Sequence, residues 1–251
     1  MAEKGASDTN QEYIRSGSWS EGQLNRLMSE AAQIKDAGER IDFLSRQFLG
    51  VGYRENTLIG DTETAEAFVV NFEGVDCFTF VDYVEAMRCS RSFAGFVNNL
   101  RRIRYRSGNV TFEERNHFFT DWREFNHGLV EDVTAQTGGA RTKTIRKLLN
   151  VKADGTPYLS GIPPRERTIE YIPSYAIDDE VVAKLKTGDY VGVYSELPGL
   201  DVSHVGILVD HSGRIHLRHA SSLAGCRKVC DQDFVSYIAE KPGIMVLRSF
   251  D

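Results

Sequence analysis

The stretch GVDCFTFVDYVEAM, residues 74–87, decides how the rest of this chain is interpreted. Apolar side chains recur at near-helical spacing after Cys77, and Asp76 is a residue type that caps helices, so we predict a helix beginning at Cys77. Asp82 and Glu85 are expected on its polar side. The N–H groups and the dipole at a helix start favour a thiolate, which a nucleophilic cysteine needs. The alternative is a small apolar residue buried at the start of a helix.

The composition is that of an ordinary water-soluble domain. The chain has 251 residues, of which 41% are hydrophobic and 26% charged, and its formal net charge is −6. This size fits one large domain with a well-formed core. The mildly acidic charge gives no reason to expect nucleic acid or an anionic membrane as a partner, and no apolar run is long enough to span a membrane. Four cysteines are too few for a disulfide scaffold.

The first part of the chain is polar and has no apolar signal core. We predict a flexible segment over residues 1–18, followed by a single domain over residues 19–251. Amphipathic patterns within that domain predict helices near 38–49 and over 93–105.

The middle of the chain is less regular than its last third. Residues 107–175 contain turn signals without a regular period, so we interpret them as a loop-rich insertion. Its aromatic stretch 117–127 either lines a cleft or forms a core loop. From residue 190 onward, short apolar or alternating runs are separated by turns, which predicts an antiparallel β-meander. Helices packed on such a sheet define an α+β fold.

Two histidines are placed to act with Cys77. His204 opens one predicted strand and His219 closes the next, and neighbouring antiparallel strands bring such positions together. A cysteine nucleophile needs a base and a group that orients the base, so Cys77, His204 and His219 form a candidate triad. The alternative is a pair of hydrogen-bonded sheet histidines without a catalytic function.

A metal site is a second interpretation of the same region. His216, His219, Cys226 and Cys230 lie within fifteen residues, and zinc accepts all four side chains. Their spacing is not a standard zinc pattern, and the strand would have to break for the two histidines to converge. Motifs of P-loop proteins, zinc metalloproteases and serine hydrolases do not occur in the sequence. We therefore expect neither a metal nor another cofactor.

A set of longer motifs runs through about residues 38–250. In chain order they are FLGVGYRENTL, DCFTFVDYVEA, HFFTDWREFN, KLLN, SGIPPRERTIEYIP, LKTGDYVGVYSE, SHVGILV and LRHASS. This set resembles the NlpC-type papain-like bacterial cell-wall cysteine peptidases, and most closely their N-acetylmuramoyl-L-alanine amidase-like subfamily. The resemblance implies a papain-like fold, in which the nucleophile at a helix start packs on an antiparallel sheet.

The resemblance also implies roles for individual residues. Cys77 matches the nucleophile, His204 the base and His219 the residue that orients the base. Tyr53 matches the loop tyrosine, and Asp76 matches the acidic residue that precedes the nucleophile. The sequence departs from the common pattern at Phe78, where a serine usually follows the cysteine. In the dipeptide-specific peptidases that serine helps to hold a free peptide N-terminus. Its replacement by phenylalanine fits an amidase that acts at the sugar–peptide junction.

The activity implied is hydrolysis of the amide between the lactyl group of N-acetylmuramic acid, including 1,6-anhydro forms, and L-Ala. Ser203, directly before His204, and Trp122, a candidate for stacking on a sugar, are further candidates for substrate or oxyanion contact. The alternatives are a γ-D-glutamyl-diamino acid endopeptidase and a non-catalytic or zinc-containing peptidoglycan-binding module. We expect a monomer that acts on muropeptides in the periplasm or cell envelope, with the cytoplasm as the alternative location.

Overall fold

The longer helices occupy the first half of the chain and the longer strands the second half. The computed structural model describes residues 11–251. The α-helices are α1 (Glu21–Ala31), α2 (Ala37–Arg46), α3 (Cys77–Arg88), α4 (Phe93–Arg104), α5 (Phe119–Phe125), α6 (Thr134–Gly138), α7 (Asp179–Val182) and α8 (Phe234–Ile238). The strands are β1 (Glu12–Arg15), β2 (Gly52–Tyr53), β3 (Phe68–Asn71), β4 (Gly74–Val75), β5 (Val130–Asp132), β6 (Lys143–Leu149), β7 (Arg165–Pro173), β8 (Tyr190–Tyr194), β9 (Val202–His211), β10 (Arg214–Ala220), β11 (Val229–Asp233) and β12 (Gly243–Ser249).

One eight-stranded sheet organises the second half of the chain. Its strand order is β11-β10-β9-β8-β12-β7-β6, and β5 pairs with the end of β12. The strands from β8 to β11 are antiparallel neighbours in chain order, so the predicted meander is confirmed. Helices combined with an antiparallel sheet confirm the α+β class. None of the helices among residues 11–251 has the length and apolar character needed to cross a bilayer.

The predicted helix α3 is enclosed on nearly all sides. Every side chain from Thr79 to Arg88 is buried, and the helix packs against α2, α4 and β9. Tyr83 lies at the centre of an aromatic cluster, with its ring centroid 5.3 Å from that of Phe72 and 6.1 Å from that of Phe96. A helix surrounded in this way holds its first residue in a constant position relative to the sheet.

The predicted polar side of α3 is wrong. Asp82 and Glu85 are 1% and 0% exposed. Asp82 accepts hydrogen bonds from Arg104 Nε at 2.8 Å and from Trp122 Nε1 at 3.0 Å, while Glu85 pairs with Arg88 at 2.7 Å. Charges removed from water need such partners. Those partners come partly from distant segments, which the helical period does not reveal.

Two regions predicted to be irregular contain regular structure. Strand β1 falls within the predicted flexible segment 1–18 and pairs in parallel with β3, while residues 1–10 lie outside the described part of the chain. Within 107–175, β6 and β7 form an antiparallel hairpin that extends the main sheet, and the aromatic stretch 117–127 contains α5. Strand formation depends on a partner, so a local pattern is a weak guide to it.

Candidate active site

Cys77 is the first residue of α3. The strand β4 leads into it and pairs in parallel with β2, which places Tyr53 beside Val75. The Asp76 carboxylate accepts hydrogen bonds from the N–H groups of Phe78 at 3.0 Å and Thr79 at 2.7 Å, and the Thr79 hydroxyl accepts one from the Asp76 N–H at 3.0 Å. This reciprocal capping box confirms the predicted cap. It holds the backbone on both sides of the cysteine.

The surroundings of the Cys77 sulfur come from three separate parts of the chain. The N–H of Val205 on β9 is directed at the thiol. Burial raises the pKa of Tyr53, and an ionised sulfur at the neighbouring Cys77 and the Asp76 carboxylate act in the same direction. Burial raises the pKa of Tyr237 on α8 to about 12, and an ionised Cys77 sulfur again acts in the same direction. Both phenols are therefore neutral donors at neutral pH.

The thiol of Cys77 is neutral in the resting site. Burial raises its pKa to about 12, and the Asp76 carboxylate adds to the rise, whereas the N–H groups of Val205, Cys77 and Phe78 oppose it. The helix start alone predicts a thiolate, but removal of the sulfur from water outweighs the dipole. Nucleophilic attack from this site therefore needs a base that takes the proton as the bond forms.

His204 and His219 form the predicted pair. His204 lies on β9 and His219 on β10, and the Nε2 of His204 is 2.6 Å from the Nδ1 of His219. A β-bulge precedes His204, because Val193 pairs with His204 whereas Tyr194 pairs with Val202. Bulges re-aim side chains next to functional sites. Burial, assisted by the charges of His219 and Lys241, lowers the pKa of His204 to about 3, so its imidazole is neutral at neutral pH.

Two residues of this site were missed by the sequence analysis. Gln232 on β11 places its Oε1 at 2.6 Å from the Nε2 of His219. Tyr237 packs its ring centroid 5.2 Å from that of His219 and 6.4 Å from that of His204. The only sequence signal for Gln232 is its position on the strand next to His219. That signal becomes useful once the register of β10 and β11 is known.

A cavity of about 580 Å³ opens beside Cys77. Asp76 and Phe78, the two neighbours of Cys77, both line it, and its other walls come mainly from the segments 56–64 and 115–117. No residue of β9, β10 or β11 is part of this lining, so the cavity and the histidines approach Cys77 from different elements. A larger depression of about 770 Å³ near the start of α2 contains none of the candidate catalytic residues.

Trp122 and Ser203 do not join this arrangement. The prediction that Trp122 stacks on a sugar is wrong, because its ring is 0% exposed and its indole N–H donates to Asp82. Ser203 is exposed, and its hydroxyl donates to the carbonyl of Val193 at 3.4 Å. Contact of Ser203 with substrate stays a prediction.

The four candidate zinc ligands do not form a metal-binding cluster in the described part of the chain. Among residues 11–251, no group of three or more His, Cys, Asp or Glu side chains is arranged to hold a metal ion. His219 is engaged with His204 and Gln232. The imidazole of His216 is partly buried, and its Nδ1 bonds the carbonyl of Arg214 on its own strand.

Cys77 begins a helix that packs against β9, the strand that carries His204. Residues 43–244 match the family described as N-acetylmuramoyl-L-alanine amidase-like, or AmiA-like. The chain belongs to this family. A comparison with curated proteins found no match.

Solved structures with the same fold come from several bacteria. An N-acetylmuramoyl-L-alanine amidase from Bacteroides uniformis is 26% identical with a TM-score of 0.70, over 92% of this chain and 100% of that chain. A Legionella pneumophila protein has a TM-score of 0.78 at 20% identity, over 92% of this chain and 94% of that chain. A Bacteroides fragilis protein described as a xylanase is 29% identical with a TM-score of 0.65, over 81% of this chain and 98% of that chain.

Proposed function

We propose that this protein is a cysteine amidase of the papain-like type that cleaves peptidoglycan fragments between muramic acid and L-Ala. The observation that carries the proposal is the packing of α3, which begins at Cys77, against β9, the strand that carries His204. Family membership and the amidase from B. uniformis support the same reaction class. The proposed substrate of this protein comes from the cell wall, so we propose that the protein works in the periplasm or cell envelope.

The first half of the reaction forms a thioester. His204 takes the proton of the Cys77 thiol through Nδ1 while the sulfur attacks the carbonyl carbon of the lactyl group. The carbonyl oxygen becomes an oxyanion, and the N–H of Cys77 and the hydroxyl of Tyr53 are the donors that we propose stabilise it. The carbon–nitrogen bond then breaks, and the imidazolium of His204 gives its proton to the leaving amine of L-Ala. The stem peptide leaves, and the lactyl carbonyl stays on the sulfur.

The second half returns the enzyme to its resting state. His204 takes a proton from a water molecule, whose oxygen attacks the thioester carbonyl. When the carbon–sulfur bond breaks, the sulfur recovers the proton from His204. The products are the free lactyl carboxylic acid on the sugar and the stem peptide with a free amine. No step draws on a group other than the protein and water.

The two sides of Cys77 suit the two halves of the substrate. The leaving amine must lie near His204, which protonates it, so the peptide extends toward β9 and β10. The acyl half, which carries the sugar, then enters the cavity lined by Asp76 and Phe78. Three wall residues of the cavity have buried polar atoms without a hydrogen-bond partner among residues 11–251, namely Thr57 Oγ1, Arg104 Nη2 and Asn116 Oδ1. Polar walls of this kind are completed by water or by a ligand.

The products of purified muropeptides test this function directly. We expect mass spectrometry to detect intact stem peptide with an N-terminal L-Ala, together with the saccharide that carries a free lactyl acid. Anhydro and reduced muropeptides are compared side by side, and xylan serves as the negative control. A saccharide that still carries L-Ala-D-Glu, together with a peptide that begins at the diamino acid, would instead establish the endopeptidase, and release of xylan oligosaccharides would contradict the proposal.

The side chain of Phe78 is expected to contribute to recognition of the acyl half. Phe78 is partly buried and lines the cavity next to the nucleophile. We expect Phe78→Ser to lower kcat/KM for muropeptides about 10- to 100-fold, which corresponds to the loss of a buried aromatic contact. Phe78→Leu keeps most of the apolar surface and should lose less. Equal kcat/KM for all three proteins would remove Phe78 from substrate recognition, and thermal melts show whether each variant is folded.

A further inference from the structure

The candidate triad continues into a fourth side chain. Gln232, His219 and His204 lie on β11, β10 and β9, three consecutive strands of the sheet. The Oε1 of Gln232 is 2.6 Å from the Nε2 of His219, and the Nδ1 of His219 is 2.6 Å from the Nε2 of His204. These are short contacts for hydrogen bonds between neutral groups. Each nitrogen in the chain must therefore be either a donor or an acceptor that matches its neighbour.

The partners assign the proton on each ring. An amide oxygen only accepts hydrogen bonds, so the Nε2 of His219 carries its proton and donates to Gln232. A neutral imidazole has one N–H, so the Nδ1 of His219 is an acceptor. It can accept only from the Nε2–H of His204. The Nδ1 of His204 is then unprotonated, and this is the nitrogen that the proposed reaction uses as the base.

The opposite arrangement gives an inactive site. If the proton of His219 were on Nδ1, it would point at the Nε2 of His204, which would then have to accept. The proton of His204 would be on Nδ1, where it could not take the proton of Cys77. The two arrangements are related by a shift of one proton on each ring, so what selects between them has a large effect on activity.

We propose that Gln232 is a positioning residue that sets the tautomers of both histidines and so keeps the Nδ1 of His204 free to act on Cys77. The proposal rests on the proposed function, in which Cys77 is the nucleophile and His204 its base. Gln232 is not among the residues that line the cavity beside Asp76 and Phe78. It acts through His219, and its amide carries no charge. The hydrogen-bonded relay Gln232–His219–His204 therefore stays neutral before the reaction begins.

The groups around the two histidines determine how pH affects the relay. Tyr237 on α8 packs on both rings, Lys241 follows α8 and disfavours a positive charge on His204, and Asp231 on β11 favours one on His219. Cys77 on α3 faces the site as a neutral thiol. A carboxylate in place of the Gln232 amide would favour imidazolium, so protonation of the pair would begin at a higher pH.

Two substitutions of Gln232 separate tautomer control from simple packing. Gln232→Leu removes the acceptor, and we expect kcat/KM to fall about 10- to 100-fold, within the range that general-base catalysis supplies, mainly through kcat. Gln232→Glu keeps an oxygen acceptor and should retain most of the activity at neutral pH. The acid limb of its kcat/KM profile should move to higher pH. Gln33→Leu, at an exposed glutamine whose amide donates to the backbone carbonyl of Ser29, is the matched control.

Nitrogen-15 NMR of the histidine rings reports the tautomers without any substrate. In the wild-type protein we expect the proton on Nε2 of both His204 and His219, and in Gln232→Leu a substantial population with the proton on Nδ1. A wild-type protein with the proton on Nδ1, or unchanged tautomers in Gln232→Leu, would overturn the proposal. If the tautomers shift as expected but muropeptides are not cleaved by the wild type, the tautomer control stands and the proposed reaction fails.

Discussion

Replacing Cys77 by alanine is expected to abolish the release of stem peptide from muropeptides. The thioester cannot form without the sulfur, and loss of a covalent nucleophile lowers kcat by at least about 10⁴-fold in enzymes of this type. Asp76 still caps α3 after the substitution, so the fold should persist. Mass spectrometry of the products measures the rate, and a thermal melt checks the fold.

Cys89→Ala is the matched control for this experiment. Cys89 is the C-cap that follows the last residue of the same helix, and its sulfur lies 3.9 Å from Glu85 at the opposite end from Cys77. We expect its activity to equal that of the wild type. Release of stem peptide by Cys77→Ala at the wild-type rate would refute the cysteine mechanism. Activity lost to a chelator would point instead to a metal-dependent reaction.

Replacing His204 by glutamine is expected to have the second largest effect. Glutamine can still bond His219, but it cannot take the proton of Cys77 or deliver it to the leaving amine. Because the resting thiol has its pKa raised to about 12, little thiolate exists at neutral pH without the base. We expect kcat to fall about 10²- to 10⁴-fold, with a smaller change in KM.

The dependence on pH separates a lost base from a distorted site. Without His204, activity should rise with pH as hydroxide replaces the base, whereas the wild-type protein should be active over a broad range above the lowered pKa of His204. The control is His216→Gln, at a partly buried histidine on β10 that is bonded to its own strand. A His204→Gln variant with the wild-type rate at pH 7 would exclude His204 as the base.

The residue types of the site could be predicted from local patterns, but its full membership could not. The cap of Asp76, the helix start at Cys77 and the proximity of His204 to His219 follow from spacing within short segments. Gln232 enters the site through the pairing of β10 with β11. A glutamine on a strand is chemically unremarkable until its neighbour is known to be a histidine.

Predictions from the sequence were wrong for residues whose surroundings come from distant parts of the chain. Trp122 is a residue type that often stacks on sugars. In this fold its indole N–H donates to Asp82 and its ring is buried in the core. Asp82 and Glu85 look like the exposed side of a helix, yet Arg104 and Arg88 neutralise them in the interior. The segment 107–175 shows no regular spacing of apolar residues. Its strands β6 and β7 are stabilised by pairing with each other, which a local sequence pattern does not reveal.

Local sequence patterns predicted the helix that begins at Cys77, the pairing of His204 with His219, the α+β class and the amidase-like family. These depend on helix caps, strand periods and ordered motifs, all of which act over a few residues. The tertiary structure alone decided the ionisation of Cys77, because burial and not the helix dipole dominates the pKa of its thiol. It also decided the relay through Gln232, since hydrogen bonds between strands join residues that no local pattern connects.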